Sequence, residues 1–168
     1  KEFAVFLNRL FKIYKKLKCF DFCGKLNGAT GNYSALHFSF SDSNLIEISN
    51  DFIKSLGLTP NLITTQIEDN DNLADLFFLL KRQNNILIDF NRDMWMYISY
   101  GYFKLQIDPS NNKEVGSSTM PHKINPINFE NSEGNLLLSN NLFNLLADEL
   151  TRSRMQRDLI GSTLFRNI

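Results

Sequence analysis

The residues best equipped for chemistry lie in the run Gly116-Ser117-Ser118-Thr119-Met120-Pro121-His122-Lys123-Ile124-Asn125-Pro126. Ser117 and Ser118 are the nearby groups that can act as base or nucleophile once activated. Lys123 adds a full positive charge. Asn125 and Pro126 read as the N-cap and first residue of a helix, because proline at that position loses no hydrogen bond. Free backbone N–H groups at such a terminus make an anion site, and Glu130 and Glu133 follow in the early turns, where carboxylates suit the helix dipole. Together these groups can hold a carboxylate and move a proton. An ordinary surface turn also uses glycine and serine, but the whole run followed by Glu130 is far more specific than Gly-Ser-Ser alone.

The elements that must position this loop are helices. Downstream, Leu136, Leu137, Leu138, Leu142, Phe143, Leu145, Leu146 and Leu150 predict a long buried helix starting at Pro126. Upstream, the pattern is helical from Ile67 to about Phe103, with Leu73, Leu76, Phe77, Leu80, Leu87, Trp95 and Ile98 on one face and further apolar residues on others. A helix apolar on so many sides is expected to be covered on most of them. About 35 residues at ~1.5 Å each predict a rod of ~50 Å, a length that suits a helical bundle. Spacings of three and four between Phe3 and Leu17 predict an amphipathic helix over Glu2–Phe20, and a shorter helix is expected over Asn44–Ser55, ending near Gly57. Gly24–Tyr33 is a glycine-rich loop whose spacing, with no strand before it, does not make a phosphate fingerprint. Pro60–Thr65 reads as a connection and Gln106–Val115 as a polar loop. No alternation amounts to a strand, so the fold class is all-α. Rods this apolar call for partner chains, most economically in a closed oligomer.

Composition limits the alternatives. Of 168 residues 43% are hydrophobic, which excludes a disordered chain. Eighteen basic residues balance eighteen acidic ones, so no global field favours nucleic acid or an anionic membrane. Arg9, Lys12, Lys15, Lys16 and Lys18 read as a solvated helix face. Cys19 and Cys23 lack enough histidine partners for a zinc site and read as reduced thiols. No apolar run reaches the ~20 residues of a membrane span, and no metal or cofactor is expected. A cytoplasmic setting follows.

The stretch GSSTMPHKINPINFENSEGN resembles the signature loop of the fumarase/aspartase superfamily, and within it the adenylosuccinate lyase family. KLNGATGNYSA at Lys25–Ala35, SLGL followed by TTQIE at Thr64–Glu68, and RMQRDLIGSTLFRN at Arg154–Asn167 resemble further segments of that family, most closely its bacterial-type branch. The resemblance thus runs along nearly the whole chain. It implies a long-helix bundle, with residues 1–168 forming part of the central helical domain, incomplete at both ends, and a signature loop at about 108–125.

The implied activity is β-elimination of fumarate from adenylosuccinate, giving AMP, and from the succinylated aminoimidazole carboxamide ribotide of purine biosynthesis. The resemblance makes Ser117 the general base and Glu130 the residue that orients the general-acid histidine. Ser118, Lys123, Asn125 and Gln66 match substrate contacts. Arg157, Ser162 and Arg166 match the nucleotide end, where arginines suit phosphate. If Ser162 opens a helix, its hydroxyl and the N–H groups beyond it favour an anion, with Arg166 one turn further along. The acid histidine belongs to a THGQPATP-like motif that the family carries upstream of the position of Lys1, so this segment alone is expected to be inactive. His37 and His122 are read as non-catalytic. The implied assembly is a homotetramer with active sites shared between subunits, binding a small nucleotide and neither nucleic acid nor membrane. Residues Asn111–Met120 are expected to order when ligand binds. A sister lyase of the argininosuccinate lyase or fumarase type, or a non-catalytic structural homologue, are the competing readings.

Overall fold

The computed structural model describes residues 1–106, 119–120, 125–156 and 160–166. They form helices α1 (Glu2–Lys18), α2 (Ser34–Ser39), α3 (Leu45–Ser55), α4 (Asp71–Ser99), α5 (Ile127–Leu150) and α6 (Ile160–Phe165), with a single 3-10 turn at Arg154–Gln156. The only ladder among them joins two-residue strands β1 (Cys23–Gly24) and β2 (Thr59–Pro60) in parallel. The fold class is all-α, as the sequence predicts. The short ladder was not expected: the Thr59 N–H donates to the Phe22 carbonyl and the Asn61 N–H to that of Gly24, each at 2.8 Å, so it ties two loops together rather than building a sheet.

The chain divides into two compact units: Lys1–Tyr14 with Leu80–Leu142, and Lys15–Leu79 with Phe143–Ile168.

In the first unit an aromatic cluster joins the three helices. Phe6 meets Phe90 edge to face at 5.4 Å, Phe3 meets Phe90 at 6.1 Å, and Phe129 meets Phe90 at 6.5 Å. Such pairs add roughly 0.5–1.5 kcal/mol beyond the area they bury. Polar pairs also cross from α4 to α5. The Asn84 amide donates to Ser139 Oγ at 3.2 Å, that of Asn91 to Ser132 Oγ at 2.9 Å, and that of Asn140 to Asn85 Oδ1 at 2.9 Å. The two Asn–Ser pairs lie one heptad apart on each helix and run in opposite directions, so they fix an antiparallel register, as buried polar positions do in coiled coils.

In the second unit Ile53, Ala74, Phe77, Leu146, Ala147 and Leu150 are buried, and Phe77 stacks on Phe143 at 5.8 Å. The Asn44 side chain caps α3 by accepting the Glu47 N–H at 3.3 Å, while its amide donates to Glu47 Oε2 at 3.0 Å.

Helix α4 departs from its predicted span. It starts at Asp71 rather than Ile67 and has 29 residues, a rod of about 44 Å at ~1.5 Å each. The cause lies in the residues before it. Glu68 accepts the Asn70 N–H at 2.7 Å, Asp69 accepts the Asp71 N–H at 3.1 Å, and Asn70 adopts a left-handed φ of 63°. Short polar side chains that capture nearby N–H groups compete with helix in this way. Most of α4 is buried or half-buried, and its exposed residues, Phe78 and Met96 among them, recur at spacings of three and four along one face. Helix α5 begins one residue later than predicted: Pro126 occupies the cap position, its carbonyl accepting the Glu130 N–H at 3.3 Å. The polar loop expected at Gln106–Val115 falls, after Gln106, outside the described residues.

Candidate functional site

Of the predicted site residues, Ser117, Ser118, Lys123 and Arg157 lie outside the described residues, as does most of the expected closing loop at Asn111–Met120. The others fall into two groups, one in each unit.

The first group surrounds Glu130, which α5 presents in its first turn. The Trp95 indole N–H on α4 donates to Glu130 Oε1 at 2.9 Å. A carboxylate has several lone-pair directions, so the indole fixes its orientation while leaving capacity for another donor. One turn along α5, Glu133 pairs with the Arg92 guanidinium at 2.7 Å. Arg92, Trp95, Met96, Glu130 and Glu133 line a hollow of about 410 Å³. Asn125 is half-buried just before the helix. An oriented acceptor at the mouth of an open hollow is suited to holding a protonated or hydrogen-bond-donating group. The sequence identifies Glu130; its partner Trp95 reads there only as part of an apolar helix face, because nothing local links positions so far apart in the chain.

The second group is built on loops. Gln66 is exposed, and its backbone is held from beneath by the glycine-rich loop. The Lys25 ammonium donates to the carbonyls of Gln66 at 2.7 Å, Thr65 at 3.1 Å and Gly28 at 3.2 Å. Asn27, buried to 1% exposure, donates to Thr64 Oγ1 at 2.7 Å. Gly31 has a φ of 78°, and a Cβ there would stand 2.0 Å from the Thr64 carbonyl oxygen. Only glycine permits both that dihedral and that approach. Desolvation lowers the Lys25 pKa below the usual lysine value.

Beyond Gln66, a cleft of about 260 Å³ is lined by residues that include Glu68, Asn70, Arg152, Ser162 and Phe165. Ser162 is the third residue of the six-residue α6 and does not open it, contrary to the expectation. Arg166 follows this helix, with Nε donating to the Ser162 carbonyl at 2.9 Å and Nη2 to Thr163 Oγ1 at 3.3 Å. The guanidinium therefore closes the last turn of α6, a favoured place for a cation. A guanidinium has five N–H donors, so these two bonds do not exhaust it. Arg152, which the sequence did not single out, lines the same cleft and pairs with Glu149 at 3.2 Å. The cleft lining thus combines a cation, Arg152, a carboxylate, Glu68, and the hydroxyl residues Ser153 and Ser162, and does not include Arg166.

Cys19 and Cys23 are free thiols. Desolvation, then the charges of Glu68, Asp69 and Asp21, push the Cys23 thiol upward, which suppresses nucleophilic thiolate. His37 is exposed on α2, and His122 is outside the described residues. Among the described residues no cluster of metal-ligating side chains occurs, and no helix is long and apolar enough to cross a membrane.

Residues 2–138 of this mostly helical chain match the lyase family. The chain belongs to that family. Over its whole length it is 52% identical to the adenylosuccinate lyase of Buchnera aphidicola subsp. Baizongia pistaciae. It is 48% identical to those of Escherichia coli K12 and Legionella pneumophila strain Corby. It spans about 36% of the length of these relatives.

Proposed function

We propose that the protein is an adenylosuccinate lyase, a C–N lyase that releases fumarate from adenylosuccinate and from the succinylated aminoimidazole carboxamide ribotide. The observation that carries this reading is the identity of about half the residues along the entire chain to proteins of that name. It is supported by the polar run at 116–125 with Glu130 following. Residues 1–168 are then part of the central helical domain, and the general-acid histidine is supplied from elsewhere in the full-length protein.

In this reading Ser117, as alkoxide or activated hydroxyl, removes a proton from the carbon beside one carboxylate of the succinyl group. The carbanion delocalises into that carboxylate as an aci-carboxylate, where Lys123 and the N-terminal N–H groups of α5 oppose the growing negative charge. Collapse breaks the C–N bond, and the histidine protonates the departing nitrogen. Glu130, held by Trp95, orients that histidine. Lys123 and Asn125 serve the succinyl end, and Ser118 and Gln66 are further substrate contacts. Arg157, Ser162 and Arg166 bind the phosphate, Arg166 using the donors not engaged by Ser162 and Thr163. No cofactor takes part.

The active unit is a homotetramer in the cytoplasm, with sites completed by neighbouring subunits. What supports an assembly is that large apolar residues, among them Leu7 at 69% exposure, Phe38 at 92% and Ile63 at 91%, stand uncovered among the described residues.

The test is Ser117→Ala in the full-length protein. Folding and assembly stay intact, and turnover falls by ~10²–10⁴-fold, the usual loss for a positioned proton-transfer group. Near-normal fumarate release would overturn the assignment.

A further inference from the structure

We propose that Lys25 is a positioning residue for the substrate, fixing Gln66 through the backbone rather than touching the ligand. The proposal rests on the reading of Gln66 as a substrate contact and adds to it the group that sets its place.

Lys25 leaves β1 and turns its ammonium into the space between two loops. Its three acceptors are the carbonyls of Gly28, Thr65 and Gln66. An ammonium has three donors and no acceptor, so its hydrogen-bonding capacity is filled, and two of its three bonds fall on consecutive peptide groups ending at Gln66. None of the ion pairs among the described residues involves Lys25. Among the described residues the charge is met by carbonyl dipoles. A lysine serving only solubility would keep its ammonium in water, where hydration is stronger. Here the side chain accepts desolvation in order to span two loops.

The surrounding contacts leave Gln66 little freedom at its backbone and much at its tip. Asn27 holds Thr64 by its hydroxyl, and Gly31 lies against the Thr64 carbonyl. The Lys25 bonds then hold the next two residues. The Gln66 side chain itself is exposed. A neutral side chain at position 25 would take the ammonium from the Gln66 carbonyl and leave those of Gly28 and Thr65 to the Gly31 N–H and the Thr64 hydroxyl, each at 3.3 Å, freeing the Thr65–Gln66 segment to shift. A displacement of the order of 1 Å is enough to spoil a positioned contact.

The experiment uses the full-length protein and four forms: wild type, Lys25→Met, Gln66→Ala and the double variant, each measured for kcat and KM of fumarate release from adenylosuccinate. Gln66→Ala raises KM. Lys25→Met raises KM by about ten-fold with a smaller change in kcat, as expected when ground-state binding is lost. The double variant is no worse than Gln66→Ala alone, because both act through one contact. A wild-type KM for Lys25→Met, or a penalty that multiplies in the Gln66→Ala background, overturns the positioning role and leaves the Gln66 reading standing. A wild-type KM for Gln66→Ala instead removes that reading and the proposal with it. If Lys25→Met does not fold, Lys25→Arg replaces it, since a planar guanidinium does not match three converging carbonyls. Lys25→Arg then shows a smaller KM increase with the same non-additivity; a wild-type KM for it would make Lys25 a folding residue only and overturn the proposal.

Discussion

The two units hold their candidate residues by different physics. Around Glu130 the framework is a helix pair whose apolar contacts supply attraction and whose Asn84–Ser139 and Asn91–Ser132 bonds supply register. Around Gln66 the framework is loop on loop, with one ammonium, one buried amide and one glycine taking the place of a packed core. Helix packing is distributed, so single changes are absorbed in part. A loop held by a few hydrogen bonds and one close approach concentrates its stability in those few groups. The loop-built region should therefore be the more brittle of the two.

The sharpest way to break that contrast is Gly31→Ala. It forces an L side chain into a left-handed dihedral and drives a methyl into the Thr64 carbonyl. The expected loss is ~3 kcal/mol, the upper part of the range for such backbone strain, read as a lowered midpoint in chemical denaturation. A variant as stable as the parent would show that the two loops separate easily.

A smaller effect is expected in the helix pair. Asn91→Ala leaves Ser132 without its partner and costs ~1–2 kcal/mol, whereas replacing both residues by apolar ones of similar shape is close to neutral, because the penalty comes from the unpaired polar group. Denaturation midpoints of the single and double variants test this. Equal losses in both would mean that packing, and not satisfaction of the buried polar groups, sets the cost.

The smallest effect concerns the start of α4. Burial by itself would raise the Asp69 pKa, but hydrogen bonds from the Asn61 side chain and the Asp71 N–H, among others, outweigh it and hold the carboxyl below its ordinary value. A folded-state pKa below the unfolded one contributes stability above the unfolded value, near pH ~3.9 for aspartate. That contribution is lost as pH falls through the folded value. Asp69→Asn should thus cost ~0.5–1 kcal/mol at neutral pH, as for a lost cap, and flatten the acid limb of the stability curve. An unchanged acid limb would assign that limb to other carboxylates.

The helices were legible in the sequence wherever apolar spacing set them, as at Phe6 and Ile13 of α1. The start of α4 was not, because Glu68, Asp69 and Asn70 act through side-chain bonds that the apolar pattern does not encode. The interhelical asparagines were equally hidden: on a helix an asparagine reads as part of a polar face until a partner is known. For the candidate site, Ser117, Lys123 and Glu130 stood out as a local motif. Lys25 and Trp95 did not, since each acquires its role from a residue distant in the chain, Gln66 in one case and Glu130 in the other.

The most direct measurement is the product analysis of the full-length protein given adenylosuccinate, with argininosuccinate and malate as parallel substrates. The expected result is AMP and fumarate in equal amounts from the first and no reaction with the other two. Cleavage of argininosuccinate, dehydration of malate, or no turnover of adenylosuccinate by the assembled protein would contradict it.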